Sequence, residues 1–360
     1  KRYRDWMRDL NKFDYTGVLE LAVAQSIRMP VSHLIVDEAQ DLSPLQAMAM
    51  LPTITGAQVA VFAGDDDQAI FEHAGSDPAW LLSMASDPGW RTTILDQSWR
   101  VPAEVHRRAQ RVIARNRRRV NKSYRARDSK GSVSWLRWSE VASNATDGTL
   151  CLARTRIAVA PIAMELYRAG LPYIIERGMG PNPLGRPDLV DAVKTATKIG
   201  SGESVTAAAL SGLLNFIPSA RGGQHGLAPW GVKTKIAGLA GHLGANDLAM
   251  LGLGNLALSA REDPIGVLSK LGKLERDYLR RLRKTYGEVP SPTVRLSTIH
   301  SVKGQEANNV IISTDIPRVV SQAMSQGSAE SENRVAYVAL TRARESVRLI
   351  KPKGRHSFRY

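Results

Sequence analysis

The sequence predicts an α/β protein built on parallel sheets and interrupted by a mainly helical insert. Three observations carry that prediction. Short apolar runs alternate with helical patterns from His33 to Ile175, the texture expected of parallel α/β layers. At Gly178 the texture changes: residues 178–187 are rich in Gly and Pro, and no convincing strand follows up to about Gly287. From Thr293 the strand–helix alternation returns.

Taken in order, Asp9 to Ser26 places apolar residues at Leu10, Phe13, Val18, Leu19, Leu21 and Ala22, a helical spacing that Pro30 closes. His33–Val36 and Val59–Ala63 read as buried parallel strands cut off by acids and by Gly64. Between them, Ser43 is a candidate N-cap for a helix over Pro44–Met50. Thr93–Leu95 reads as a third strand, and Pro102–Val120 as a long helix with proline in its first turn. Val133–Trp138, Leu150–Ala153 and Tyr173–Ile175 read as strands, with a helix over Ile157–Ala169. Val294–Leu296 and Val310–Ser313 are further strands, and Asn333–Thr341 is a helix.

Composition narrows the function classes. The 360 residues are 43% hydrophobic and 23% charged, which excludes wholesale disorder. Cys151 is the single cysteine, so no intrachain disulfide can form and a reducing, cytoplasmic setting is expected. No apolar run reaches the ~18 residues that span a bilayer, so no membrane role is expected. The net charge of +15 favours polyanions, nucleic acid first.

The sharpest chemistry lies at two strand ends. Leu34-Ile35-Val36 delivers Asp37-Glu38, and Val61-Phe62-Ala63 leads to Gly64-Asp65-Asp66-Asp67-Gln68. Parallel sheets bind ligands beyond the carboxyl ends of their strands. Of two adjacent carboxylates, one can hold Mg²⁺ and the other can orient a water for phosphoryl transfer. The bland alternative for each residue alone is a solvated acidic turn or an exposed glutamine. Trp99 alone reads as core, His300 as a turn histidine, and Arg342 with Arg344 as a solvated helix face.

The order of the motifs favours a functional reading. Val36-Asp37-Glu38-Ala39-Gln40-Asp41 and Ala63-Gly64-Asp65-Asp66-Asp67-Gln68-Ala69-Ile70 resemble the second and third motifs of UvrD/Rep-type superfamily-one DNA helicases. Leu95–Arg100, Leu296–Glu306 and Arg334–Arg344 resemble the fourth, fifth and sixth, in order. Leu150–Arg156 and Ala169–Tyr173 are similar to a strand–helix–strand segment of that family. The resemblance implies RecA-like P-loop NTPase domains. Residues 1–92 would be the later part of the first such domain, 93–178 with 290–360 the second, and 179–289 a reduced accessory insert.

It also implies roles. Asp37 would bind Mg²⁺ and Glu38 would activate water. Gln68 would touch the ATP γ-phosphate, Trp99 would stack on adenine, and Glu306 would accept from the ribose. Arg100 and Arg342 would be arginine fingers, a role suited to a guanidinium that stays charged and donates as a fork. Phe71, His73, Thr298 and His300 would face single-stranded DNA, and the implied activity is an ATP-dependent, 3′-to-5′ DNA helicase.

Three departures accompany the resemblance. No G-x-x-x-x-G-K-[ST] phosphate loop occurs, and the chain opens on Lys1 rather than Met. The expected reading is a family member without its N-terminal portion; the alternative is a non-catalytic DNA-binding remnant, or one half of a split helicase with that portion supplied in trans. Second, Phe71-Glu72-His73-Ala74-Gly75 puts His73 and Ala74 where the family usually has Trp and Arg. Third, the insert is short and glycine-rich, with Gly222, Gly223, Gly226, Gly231, Gly238, Gly241 and Gly244. Positive charge concentrates in Arg107 to Arg127, where Arg107, Arg111 and Arg118 are candidate DNA-backbone contacts, and again in Lys270 to Lys284.

Overall fold

A computed structural model describes the chain except Lys1, Asn11 and residues 221–226; of Arg2, Arg4 and Arg8 the backbone alone is described. Gly222, Gly223 and Gly226 thus lie outside the described residues. Among those described, no helix is long and apolar enough to cross a membrane.

The chain begins with two helices rather than one, Arg2–Asp9 and Tyr15–Ala24. The break falls where the Asp14 carboxylate accepts from the Gly17 N–H and starts the second helix. β1 (His33–Val36) and β2 (Val59–Phe62) pair in parallel, so their acidic ends lie side by side. Between them runs the helix Pro44–Gly56, longer than predicted. Ser43 and Gln46 cap it reciprocally, with Pro44 at the first helical position.

The expectation of buried strands fails here. Ile35 is 76% exposed, and Val59 and Val61 are nearly half exposed. Each of these strands has a single neighbour among the described residues, whereas parallel strands ordinarily gain their burial from sheet neighbours and covering helices.

Thr93–Leu95 is not a strand. Pairing starts two residues later, with β3 (Gln97–Pro102) beside β4 (Arg125–Arg127). The helix after β3 covers Ala103–Ile113 and stops well short of Val120. Its apolar stripe (Val105, Ala109, Val112, Ile113) ends there, and side chains from elsewhere capture the following backbone. β5 (Ser132–Leu136) ends before Trp138, which sits in a short 3₁₀ turn. β6 (Leu150–Ala153) and β7 (Tyr173–Ile175) flank the helix Arg156–Ala169.

The insert is mainly helical, as predicted, with its longest helices at Pro187–Gly200 and Lys273–Tyr286. Four two-residue strands were not foreseen: β8 (Val205–Thr206), β9 (Ser219–Ala220), β10 (Ala228–Pro229) and β11 (His242–Leu243). Its apolar side chains, Leu189, Val193, Leu256 and Leu279 among them, join one continuous core with the helix Arg156–Ala169. Gly200 permits that packing, since a Cβ there would meet the Ala260 carbonyl oxygen at 2.4 Å.

β12 (Val294–Thr298), β13 (Ala307–Ser313) and β14 (Ala343–Ile350) complete a six-stranded, all-parallel sheet in the order β5-β14-β13-β6-β12-β7. β14 escapes sequence reading because Arg344, Glu345 and Arg348 interrupt its apolar pattern. Arg342 and Arg344 are consequently not on a helix face: the helix is Ala329–Leu340, and Arg344 sits on β14. The mixed α/β fold with its parallel six-stranded sheet agrees with the RecA-like architecture that the resemblance implies.

Strand periodicity divides the core. On β6, Cys151 and Ala153 face the helix Arg156–Ala169 and the insert, while Leu150 and Leu152 face the helices Ala103–Ile113 and Ala329–Leu340. Ile70, from the turn after β2, is buried in this second core. The turn that β2 carries is therefore packed by the large sheet's helices. Leu152→Ala leaves a cavity where no solvent reaches, so it is expected to cost ~2–5 kcal/mol in urea unfolding; a loss under ~1 kcal/mol would contradict the packing described.

Candidate active site

The site forms where the ends of β1 and β2 meet the large sheet. At β1, Glu38 adopts a left-handed backbone (φ 51), uncommon for a residue with a side chain. Its N–H donates to Asp37 Oδ1 at 2.8 Å, and both carboxylates remain exposed. The buried Gln40 amide ties the two strand ends together. It donates to Glu38 Oε2 at 2.5 Å and accepts from the Asp65 N–H at 2.9 Å. Gly64 makes room for it: a Cβ there would lie 2.6 Å from Gln40 Oε1.

Lys303, from the turn after β12, reaches across to this end. Its ammonium lies 3.1 Å from Glu38 Oε2 and 2.5 Å from Asp41 Oδ2. Burial raises Asp41 above the usual carboxylate range, against the pull of Lys303.

The turn after β2 carries Asp65, Asp66 and Asp67. All six carboxylate oxygens are partnered. Lys122 Nζ lies within 3.2 Å of all three residues, and Arg119 forks onto Asp67 at 2.9 and 2.6 Å. The Val120 N–H reaches Asp66, and the Gln68 amide donates to Asp65 at 2.7 Å. Their ligand atoms lie close enough for a metal ion, yet the Lys122 ammonium already holds the central position. Burial raises Asp67; it also acts to raise Asp65, but Lys122 outweighs it there and the net shift is downward.

Gln68 thus points its carbonyl away from Asp65, and Arg342 donates to it at 3.2 Å. Arg342 is almost wholly buried and also donates to the carbonyls of Val338 and Gln305. Burial and the neighbouring Arg100 hold it down to about 10. Arg100 Nε is itself buried with no partner. Two like charges held together, one with an orphaned donor, is an arrangement suited to an anion. Glu306 lies beside them and is held below the usual range by its hydrogen bond with Arg344. Trp99 is 84% exposed, so it is not core.

Phe71, His73 and His300 come together, with ring centroids 5.2–6.2 Å apart and Lys303 Nζ 5.4 Å from the Phe71 ring. Thr298 shares a hydrogen bond with Ser301 at 2.8 Å. Of the basic run, Arg107 pairs with Glu104, Arg111 and Arg118 are exposed, and Arg119 and Lys122 are spent on the acidic turn. In the second run, Arg280 pairs with Asp263 and Asp277, and Arg276 and Arg281 donate to backbone carbonyls.

Sequence reasoning missed Gln40, Arg119, Lys122, Lys303 and Arg334 as site-builders. Arg334 is buried and donates to the Asp66 carbonyl, Glu72 and the Arg118 carbonyl. The available signal was the acidic triplet itself, since three adjacent carboxylates need cations if they are buried.

Burial, Arg154 and His73 push His300 down to about 4 from its ordinary 6.5. The folded state therefore keeps this ring neutral while the unfolded chain takes up a proton. Stability is expected to fall as pH drops from about 6.5 towards 4, and His300→Gln is expected to flatten that slope in thermal melts. An unchanged slope would contradict this.

Residues 9–89 match the UvrD/REP helicase N-terminal domain, and residues 267–353 match the UvrD-like helicase C-terminal domain. The ATP-dependent DNA helicases UvrD2 of Mycobacterium bovis and Mycobacterium tuberculosis are 26% identical over 377 aligned positions, covering 94% of this chain and 50% of theirs. YjcD of Bacillus subtilis is 23% identical over 206 positions, 50% of this chain and 27% of its own. The chain thus spans about half the length, or less, of the curated relatives it matches. The two domain models match in chain order, so the similarity to UvrD/Rep-like helicases extends over both residues 9–89 and residues 267–353.

Proposed function

We propose that this chain forms the motor part of an ATP-dependent DNA helicase that moves 3′-to-5′ along single strands. ATP would bind between residues 1–92 and the part formed by 93–178 and 290–360. The observation that carries the reading is the Arg100–Arg342 pair, with its orphaned donor, set against Gln68 and close to Glu306.

The chemistry follows from those positions. Arg342 and Arg100 would gather the charge that builds on the transferred phosphoryl group. Gln68, held between Asp65 and Arg342, would register whether that group is present. Glu38 would take the proton of the attacking water, once Lys303 yields its contact. Asp37, exposed at the strand end, would hold Mg²⁺, which shields phosphate charge when bound. Trp99 offers an open indole face for adenine, and Glu306 an acceptor for ribose. Phe71, His73, Thr298 and His300 would meet the DNA strand, with Arg107, Arg111 and Arg118 on its backbone.

A second reading is a unit that works only with a phosphate-loop element supplied in trans. The open faces of β1 and β2 favour it.

The test measures ATP turnover with and without single-stranded DNA in the protein that carries this chain together with a phosphate loop. Glu38→Gln is expected to lower turnover ~10²–10⁴-fold while ATP still binds. DNA-independent turnover, or turnover untouched by the substitution, would refute the motor reading. Turnover restored only on adding a separate phosphate-loop polypeptide would support the second reading.

A further inference from the structure

Residues 116–122 have no regular secondary structure, yet polar contacts fix almost every one of them. The Asn116 amide donates to the Glu330 carbonyl and accepts from Asn333. The Arg117 N–H donates to Glu330 Oε1, and the Arg118 carbonyl accepts from Arg334. Arg119 forks onto Asp67, the Val120 N–H donates to Asp66, and Lys122 spans all three carboxylates. The side chains of Arg117 and Arg118 are left facing solvent.

This strap therefore has two ends with different chemistry. One presents paired, exposed guanidiniums. The other grips the acidic turn whose Asp65 carboxylate orients the Gln68 amide at 2.7 Å. Such a connection is stiff, because moving Lys122 would take away the one ammonium that all three carboxylates share.

We propose that residues 116–122 act as a brace through which a polyanion bound at Arg117 and Arg118 sets the position of Gln68. Arg119 and Lys122 are its positioning residues, acting through the carboxylates of the acidic turn. The inference rests on the reading of the chain as a DNA-binding motor, and it adds the route by which a bound strand reaches the phosphate-sensing glutamine.

The test uses this chain, an oligothymidylate and amide hydrogen exchange of residues 66–70. In the unaltered chain, DNA is expected to slow that exchange by about threefold or more. Lys122→Met is expected to keep DNA affinity within about twofold while abolishing the DNA-dependent slowing, and Lys122→Arg to restore it. Arg119→Lys keeps the charge, loses the fork, and is expected to weaken the slowing, which covers the case in which Lys122→Met does not fold. A merely structural role would change exchange equally with and without DNA. Slowing that persists in Lys122→Met, or its absence in the unaltered chain with DNA bound, would overturn the brace. Failure to bind the oligonucleotide at all would overturn the DNA-binding reading, and the brace with it.

Discussion

Three consecutive carboxylates, two of them almost fully buried, cannot persist in a protein interior without cations. Asp65, Asp66 and Asp67 meet that constraint through Arg119 and Lys122, which arrive from more than fifty residues downstream. Desolvating each ion costs several kcal/mol, and it is repaid only when geometry is good and the remaining lone pairs are satisfied. Here every carboxylate oxygen has a partner. The end of the small two-stranded sheet is thereby committed to one arrangement against the large sheet.

Much of the candidate site follows from that commitment. Asp65 orients Gln68, and Gln68 meets Arg342 from the end of the helix Ala329–Leu340. Ile70 is drawn into the large sheet's core, so Phe71 and His73 reach His300. Gln40 carries the same constraint back to Glu38, and Lys303 closes the circuit by pairing with Glu38 and Asp41. The elements implied to handle nucleotide and those implied to handle DNA are thus joined by short polar links.

Parts of this were legible in the sequence because they depend on local rules. The two acid-terminated strands, the Ser43 cap and the strand–helix–strand run from Leu150 to Ile175 are set by residues close to one another. Other parts depend on residues far apart. The helix after Pro102 stops at Ile113 because Glu330, Arg334 and Asp66 claim the backbone beyond it. In the sequence Arg119 and Lys122 read as part of a basic run for a nucleic-acid backbone, because the carboxylates that they pair with lie more than fifty residues upstream. β14 was hidden by charges that sit on a strand otherwise buried in the sheet. The exposure of β1 and β2 was equally out of reach, because burial depends on what covers a strand and not on its own apolar run.

The most direct measurement is a double-mutant cycle across the junction: Asp67→Ala, Arg119→Ala and the pair, each followed by urea unfolding. A bidentate pair with its carboxylate fully buried predicts a coupling of about 2 kcal/mol or more. Additive losses, with coupling below about 0.5 kcal/mol, would contradict the claim that this junction holds the site together.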